Sequence, residues 1–398
     1  MNRSVLINGA SVAGPALAFW LRRHGFDPVV VERAPAFREG GHAIDLRGVA
    51  HEVVWRMGLA AEIRRASIGT RGMSFVDASG RPRASMPVEL LGGEGAVGEI
   101  EILRGDLSQV LYDATRDDTE YIFGDHVTAL ADDGDGVEVR FAGGGRRRFG
   151  LVVGADGIHS TIRSLVFGEE AGFARHLGSY TSYFTIPYPM AHDRWDRYHT
   201  PLGGRAVAIR PTPLPDEAKA LFAFTSPPLS YDRYDTGQQK KIIADRFADV
   251  GWEVPRLLSA MWEAEDFYFD TIGQIHMDRW SSGRTVLLGD AAYCPSALSG
   301  LGTSLALVGA YVLAGELAAA GGDHRAGFAG YEREMRGYVT ASQARANGGE
   351  TGFLFPKTRA HVMMRDMMIR SLPYVPWRKM IVKRLQQADA ITLKDYQS

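Results

Sequence analysis

Short apolar runs rich in β-branched residues alternate with helical stretches near the start of the chain. "SVLING" (residues 4–9) and "DPVVVER" (27–33) have the continuous apolar character of buried parallel strands. Between them, "GPALAFWLRRHG" repeats apolar residues at helical spacing and stops at Gly25, a natural C-cap. The pattern predicts a β-α-β unit of about 30 residues. A loop, "REGGHAIDLRG", and a helix, "AHEVVWRMGLAAEI", come next. "EILRGDLSQVLYDAT" reads as a strand end passing into a helix. "GVEVRFAGGGRRRFGLVVGADG" reads as two strands around a glycine-rich hairpin, the second running into a sharp turn.

Between about 173 and 274 the texture changes. Aromatics and prolines crowd together in "SYTSYFTIPYPM" and "RWDRYHTP", and strand-like runs replace the β-α rhythm, which predicts an inserted, mostly antiparallel sheet. These aromatics read equally as core or as pocket lining. The rhythm returns at "GRTVLLGDAAY", a strand and turn before a long helix. "LALVGAYVLAGEL" falls short of the roughly 20 residues that cross a bilayer and reads as a buried helix. The tail is helical and broken at "LPYVPW". Its methionine run, "HVMMRDMMIR", reads as packing between domains in preference to a substrate channel. The basic "PWRKMIVKRL" reads as a solvated helix face in preference to a membrane-surface helix. The expected division is a discontinuous cofactor domain (1–72, 99–172 and 275–354), a substrate domain (73–98 and 173–274) and a helical segment (355–398).

Composition narrows the class. A chain of 398 residues is long for one core and suits two domains. A formal net charge of −2 gives no electrostatic case for a nucleic-acid partner. Cys294 is the only cysteine, so no intrachain disulfide can form, and a small buried hydrophobe is its expected role. With no secretory signal before "SVLING", a cytoplasmic protein is expected, without a membrane partner and with its oligomeric state open.

The chemistry begins at "INGASVAG". In a dinucleotide-binding turn the first glycine makes the tight turn, the second admits the pyrophosphate and the third lets helix and strand pack closely. Gly9 and Gly14 fill the outer roles, but Ser11 stands in the middle. Glu32, closing the second strand, is placed to accept hydrogen bonds from ribose hydroxyls. Alone, this motif leaves a cofactor site and a plain strand–helix turn both open. Three distant segments agree with the first reading: Arg104 in "EILRGDL", Asp156 in "VVGADGIHSTIR", and Asp290 in "GRTVLLGDAAY" with "SGLGTS" after it. Strand C-termini along one edge of a parallel sheet form a ligand crevice. The plainer roles are helix N-caps for Asp156 and Asp290, and a surface ion pair for Arg104.

These four segments, in this order, resemble the single-component FAD-dependent aromatic hydroxylases, the p-hydroxybenzoate hydroxylase-like family, and most nearly its tetracycline-modifying monooxygenases. The resemblance implies an α/β fold: a Rossmann-like FAD domain with an inserted, mostly antiparallel substrate sheet and C-terminal helices. It implies that Glu32 holds the adenosine ribose with Arg33 beside the adenine, that Asp45 and Arg104 contact the ribityl and phosphate groups, and that Asp156 serves FAD and an incoming NADPH or NADH. Asp290 would take the ribityl chain, Gly300 and Gly302 would bring N–H groups and a helix dipole near the flavin, and Arg38 would meet the nicotinamide cofactor. The implied reaction is hydroxylation of a polycyclic phenol or polyketide-like small molecule through a flavin C4a-hydroperoxide formed from O2, with no obligatory catalytic side chain. The chain departs from the family pattern at Tyr293, Ala297 and Ser304, where His, Pro and Asn are usual. These departures motivate an alternative, a flavin-containing enzyme of the same fold that guides a cyclisation or rearrangement. A halogenase is disfavoured because its W-x-W-x-I-P signature is missing, and a non-catalytic ligand carrier is a further rival.

Overall fold

The structure, a computed structural model, describes residues 2–37, 41–91, 100–189, 193–346, 353–375 and 391–396. Strand β1 (Ser4–Asn8), helix α1 (Ala13–Arg23) and strand β2 (Asp27–Glu32) form the first unit, with β1 and β2 parallel. Val5, Leu6 and Ile7 are fully buried because both faces of this sheet are covered. Strand β3 (Ala43–Leu46) is followed by helices α2 (Val49–Met57) and α3 (Ala60–Arg65). Strands β4 (Gly72–Val76) and β5 (Pro82–Pro87) pair with each other. Strand β6 (Ile100–Leu103) returns antiparallel to β3 and passes without a loop into helix α4 (Arg104–Asp113).

Strand β7 (Glu120–Phe123) joins β2. Strands β8 (Val127–Asp132), β9 (Val137–Phe141) and β10 (Arg146–Phe149) make a small antiparallel sheet. The single second strand expected through "RRRFGLVVGADG" is in fact two, because β11 (Leu151–Gly154) leaves β10 to pair parallel with β1. The break falls at Gly150, where a Cβ would lie 2.2 Å from the Asn2 carbonyl oxygen, so the crossing backbone requires glycine. Helix α5 (Thr161–Phe167) follows.

The aromatic-rich region supplies strands β12 (Ala174–Pro187), β13 (Trp195–His199), β14 (Arg205–Pro211) and β15 (Glu217–Thr225), helices α6 (Thr236–Phe247) and α7 (Val254–Glu263), and strand β16 (Tyr268–Ile275). They form a seven-stranded sheet ordered β16-β12-β15-β14-β13-β4-β5, antiparallel except where β13 meets β4. Strand alternation sorts the ambiguous aromatics. Tyr180 and Phe184 enter the core with Phe222, Phe224 and Phe247, whereas Tyr183 faces the other way and stacks on His42 at 4.9 Å.

Strands β17 (Ser281–Ser282) and β18 (Thr285–Leu287) complete the first sheet, ordered β17-β18-β11-β1-β2-β7, before helices α8 (Asp290–Tyr293), α9 (Gly302–Ala319), α10 (His324–Ala346) and α11 (Arg359–Ser371). Among the described residues α9 is the one helix long and apolar enough to cross a membrane, and it is buried against α1, α2 and α10. The methionine run corrects its sequence reading. On α11, Val362 and Ile369 face inward, while among the described residues Met363, Met364, Met367 and Met368 are exposed and so are not the packing surface expected of them. The inward positions are fixed by polar contacts as well, since Arg365 donates to Thr200 Oγ1 at 2.9 Å and Asp366 pairs with Arg83 at 2.8 Å. "PWRKMIVKRL" lies outside the described residues.

Candidate functional site

Strands β2, β1, β11 and β18 end side by side, and the turns that follow them open on one groove of about 550 Å³. Gly9 turns with φ +115°, and a Cβ there would lie 2.5 Å from the Ala155 carbonyl oxygen. A Cβ on Gly14 would lie 1.9 Å from the Gly9 carbonyl oxygen, so the third position serves helix packing. Ser11 lines the groove without adopting a positive φ, so serine fits where glycine is usual. Helix α1 has no side-chain cap and no acidic residue in its first turn, which leaves its N-terminal N–H groups and positive dipole end to the groove.

Glu32 Oε2 accepts from the Ala10 N–H and Oε1 from the Ala34 N–H, both at 2.9 Å, which fixes the carboxylate at the groove edge. Beside it, Arg33 donates to Thr161 Oγ1 at 3.1 Å. Across the groove Asp156 does act as a cap. It accepts from Ser160 Oγ at 2.5 Å, the Thr161 N–H at 2.7 Å and Asn8 Nδ2 at 2.8 Å. Burial pushes its carboxyl above the usual range, opposed by these hydrogen bonds. Asp290 opens α8 but makes no capping bond, and its carboxyl faces the groove. Partial desolvation within the groove raises its pKa, opposed by Cys294 and the Arg104 charge. Arg104 and Gly302 complete this end of the lining. Helix α9 starts at Gly302, again without a side-chain cap.

Gly9, Ser11, Glu32, Arg33, Arg104, Asp156, Asp290 and Gly302 therefore share one groove. Asp45 and Gly300 lie off its lining and meet instead around Arg47, which sequence reasoning missed. Arg47 Nη2 donates to Asp45 Oδ2 at 2.6 Å, and a Cβ on Gly300 would lie 3.4 Å from the Arg47 guanidinium carbon. Arg38 lies outside the described residues.

Two further residues organise the groove. Arg163 is fully buried and donates to the Ala291 carbonyl at 3.0 Å and to Glu170 at 2.8 Å, tying the turn after β11 to α8. His159 bridges Glu170 at 2.8 Å and Asp270 on β16 at 2.9 Å, and Tyr268 also donates to Asp270 at 2.8 Å. Burial opposes charge on His159, but its two carboxylate partners raise it to about 9. His159 sits inside a motif noticed in the sequence, yet its partner on β16 is 111 residues away and has no local signal.

Of the positions that depart from the family pattern, Tyr293 and Ser304 turn inward, whereas Ala297 is exposed. Tyr293 hydrogen-bonds Tyr331 at 2.8 Å in the core, and Ser304 donates to the Arg47 carbonyl at 3.3 Å. Ser296, before α9, holds φ +85°, a strain worth about 1–3 kcal/mol of the kind that collects at functional loops. Cys294 is buried. Tyr268 and Asp270 on β16 of the large sheet, with Tyr231, Arg233 and Tyr234 from the connection between β15 and α6, roof the groove. On the same sheet, Arg210 bonds both Glu101 and Asp196, and burial pushes the Glu101 carboxyl up.

A turn that leaves N–H groups uncapped, a carboxylate at the end of β2 and the Arg104 cation in the lining of one groove suit an adenosine, a pyrophosphate and a ring system. The FAD binding domain family matches residues 2–345, and the chain belongs to it. It is an FAD-dependent monooxygenase. A flavin-dependent monooxygenase of Legionella longbeachae serogroup 1 (strain NSW150) is 37% identical over 397 residues, covering 100% of this chain and 99% of the relative. The crystal structure of tetracycline destructase Tet(51) matches with TM-score 0.86 and 33% identity, covering 100% of both chains. That of tetracycline destructase Tet(55) matches with TM-score 0.84 and 36% identity, covering 99% of both.

Proposed function

We propose that this chain hydroxylates a polycyclic phenol or polyketide-like small molecule, using NADPH or NADH as reductant and O2 as oxygen source. One observation carries the reading: residues from four separated segments, Glu32, Arg104, Asp156 and Asp290, line the same groove. Bound FAD would supply the two-electron chemistry and the activation of O2.

The residues present fit that cofactor. Glu32 would accept the ribose hydroxyls, and Arg33 would lie beside the adenine. The N-terminus of α1 and Arg104 would balance the pyrophosphate charge. Asp290 would orient the ribityl chain, and the N-terminus of α9 would favour negative charge on the reduced ring. Arg47 would position Asp45 and Gly300 at the flavin end. The inserted sheet, with residues 73–98 and 173–274 as the substrate domain, would exclude water and hold the substrate over the ring. The names of the two structural neighbours support a polycyclic, oxygen-rich substrate.

The test is a spectrum of the purified protein followed by NADPH and NADH oxidation across a panel of polycyclic phenols. A yellow flavoprotein with ligand-stimulated oxidation and a hydroxylated product supports the reading. Colourless protein that stays empty in excess FAD contradicts it.

A further inference from the structure

The methionine run is a feature of this chain that the groove does not use. Met363, Met364, Met367 and Met368 recur on one side of α11 and are 65%, 61%, 67% and 53% exposed, so they form a continuous apolar stripe. Tyr374, just beyond the helix, is 85% exposed. Scattered exposed apolar residues need no explanation, but a contiguous stripe marks a contact surface.

The exposed charges that this segment itself carries have one sign. Lys357, Arg359 and Arg370 are exposed along the same segment. Asp366 is the only acidic residue from 353 to 375, and it is buried and paired with Arg365 and Arg83. The chain as a whole is slightly acidic, so this concentration of cations is local.

We propose that α11 docks on an anionic lipid surface, with the methionine stripe inserted among the acyl chains and the flanking cations at the headgroups. Unbranched, flexible methionine side chains adapt to such a surface without a complementary shape. The helix is about 20 Å long. Pairing two copies through this face would bring Lys357, Arg359 and Arg370 of each against those of the other with no exposed carboxylate on the segment between them. An anionic bilayer meets both the apolar stripe and its charge.

The experiment is flotation of the full-length flavoprotein with vesicles of phosphatidylcholine alone and of phosphatidylcholine with a quarter phosphatidylglycerol. The expected result is binding to the anionic vesicles only, weakened by salt. Replacing all four methionines (Met363→Gln, Met364→Gln, Met367→Gln and Met368→Gln) lowers that binding about tenfold or more, and Lys357→Glu with Arg359→Glu does the same. Unchanged circular dichroism and flavin absorbance show that both variants fold. Failure of the wild-type protein to float, or binding that survives the methionine substitutions, overturns the proposal. A dimer seen by sedimentation equilibrium and dissolved by the same substitutions also overturns it, assigning the face to a second copy.

Discussion

Glu32 accepts the Ala10 N–H at 2.9 Å, so the carboxylate that ends β2 holds the turn that follows β1. One side chain thus fixes the spacing between the two ends of the groove's first unit. Hydrogen bonds to a charged group contribute roughly 1.5–3 kcal/mol each. Glu32→Ala is expected to weaken FAD binding tenfold or more and to lower the melting temperature of the apoprotein. Fluorescence titration with FAD and thermal unfolding measure the two effects separately.

The glycines of the groove separate packing from conformation. Gly14→Ala places a Cβ against the Gly9 carbonyl and should cost about 1–3 kcal/mol or more through forced separation of α1 and β1. Gly157 has φ +80° and no atom within 4 Å of a built Cβ. Gly157→Ala should therefore cost only the left-handed backbone penalty, roughly 1–2 kcal/mol. Urea unfolding of the two variants should rank them in that order.

Much of the site was legible because its parts are local. A strand end, a tight turn and a helix start occupy a dozen residues, and the turns at Gly9, Asp156 and Asp290 carry that pattern in the sequence. Arg104 was legible for the same reason, since β6 passes into α4 without a loop. What sequence could not show depends on distance or on alternation. Arg47 acts through partners on β3 and beside α9, and His159 through a strand in the other sheet. The break at Gly150 is dictated by the backbone of Asn2. The methionine run has helical spacing whether it is buried or exposed, so only the fold reveals which.

His159 gives the stability a pH dependence. Its folded pKa of about 9 lies above the ordinary histidine value, because Asp270 and Glu170 outweigh the burial that opposes its charge. Its contribution is complete below about pH 6.5, the unfolded value, and is lost as pH rises through about 9. His159→Gln should therefore be less stable than wild type at pH 6, with the gap closing by pH 10. A gap that stays constant across urea titrations at these pH values would count against a charged His159.

Arg210 balances two buried carboxyl groups, Glu101 and Asp196. Arg210→Met removes that balance and is expected to cost about 3–5 kcal/mol, the usual result of leaving buried acids without their cation. Adding Glu101→Gln and Asp196→Asn to it should recover part of the loss. Chemical denaturation of the single and triple variants checks the coupling.

The most direct test of the account is turnover under heavy-isotope dioxygen with NADPH and a polycyclic phenol, followed by mass spectrometry of the product. The account predicts one labelled oxygen atom in each product molecule and no product under nitrogen. Unlabelled product, formed equally well without oxygen or NADPH, would contradict it and favour a rearrangement in which the flavin is structural.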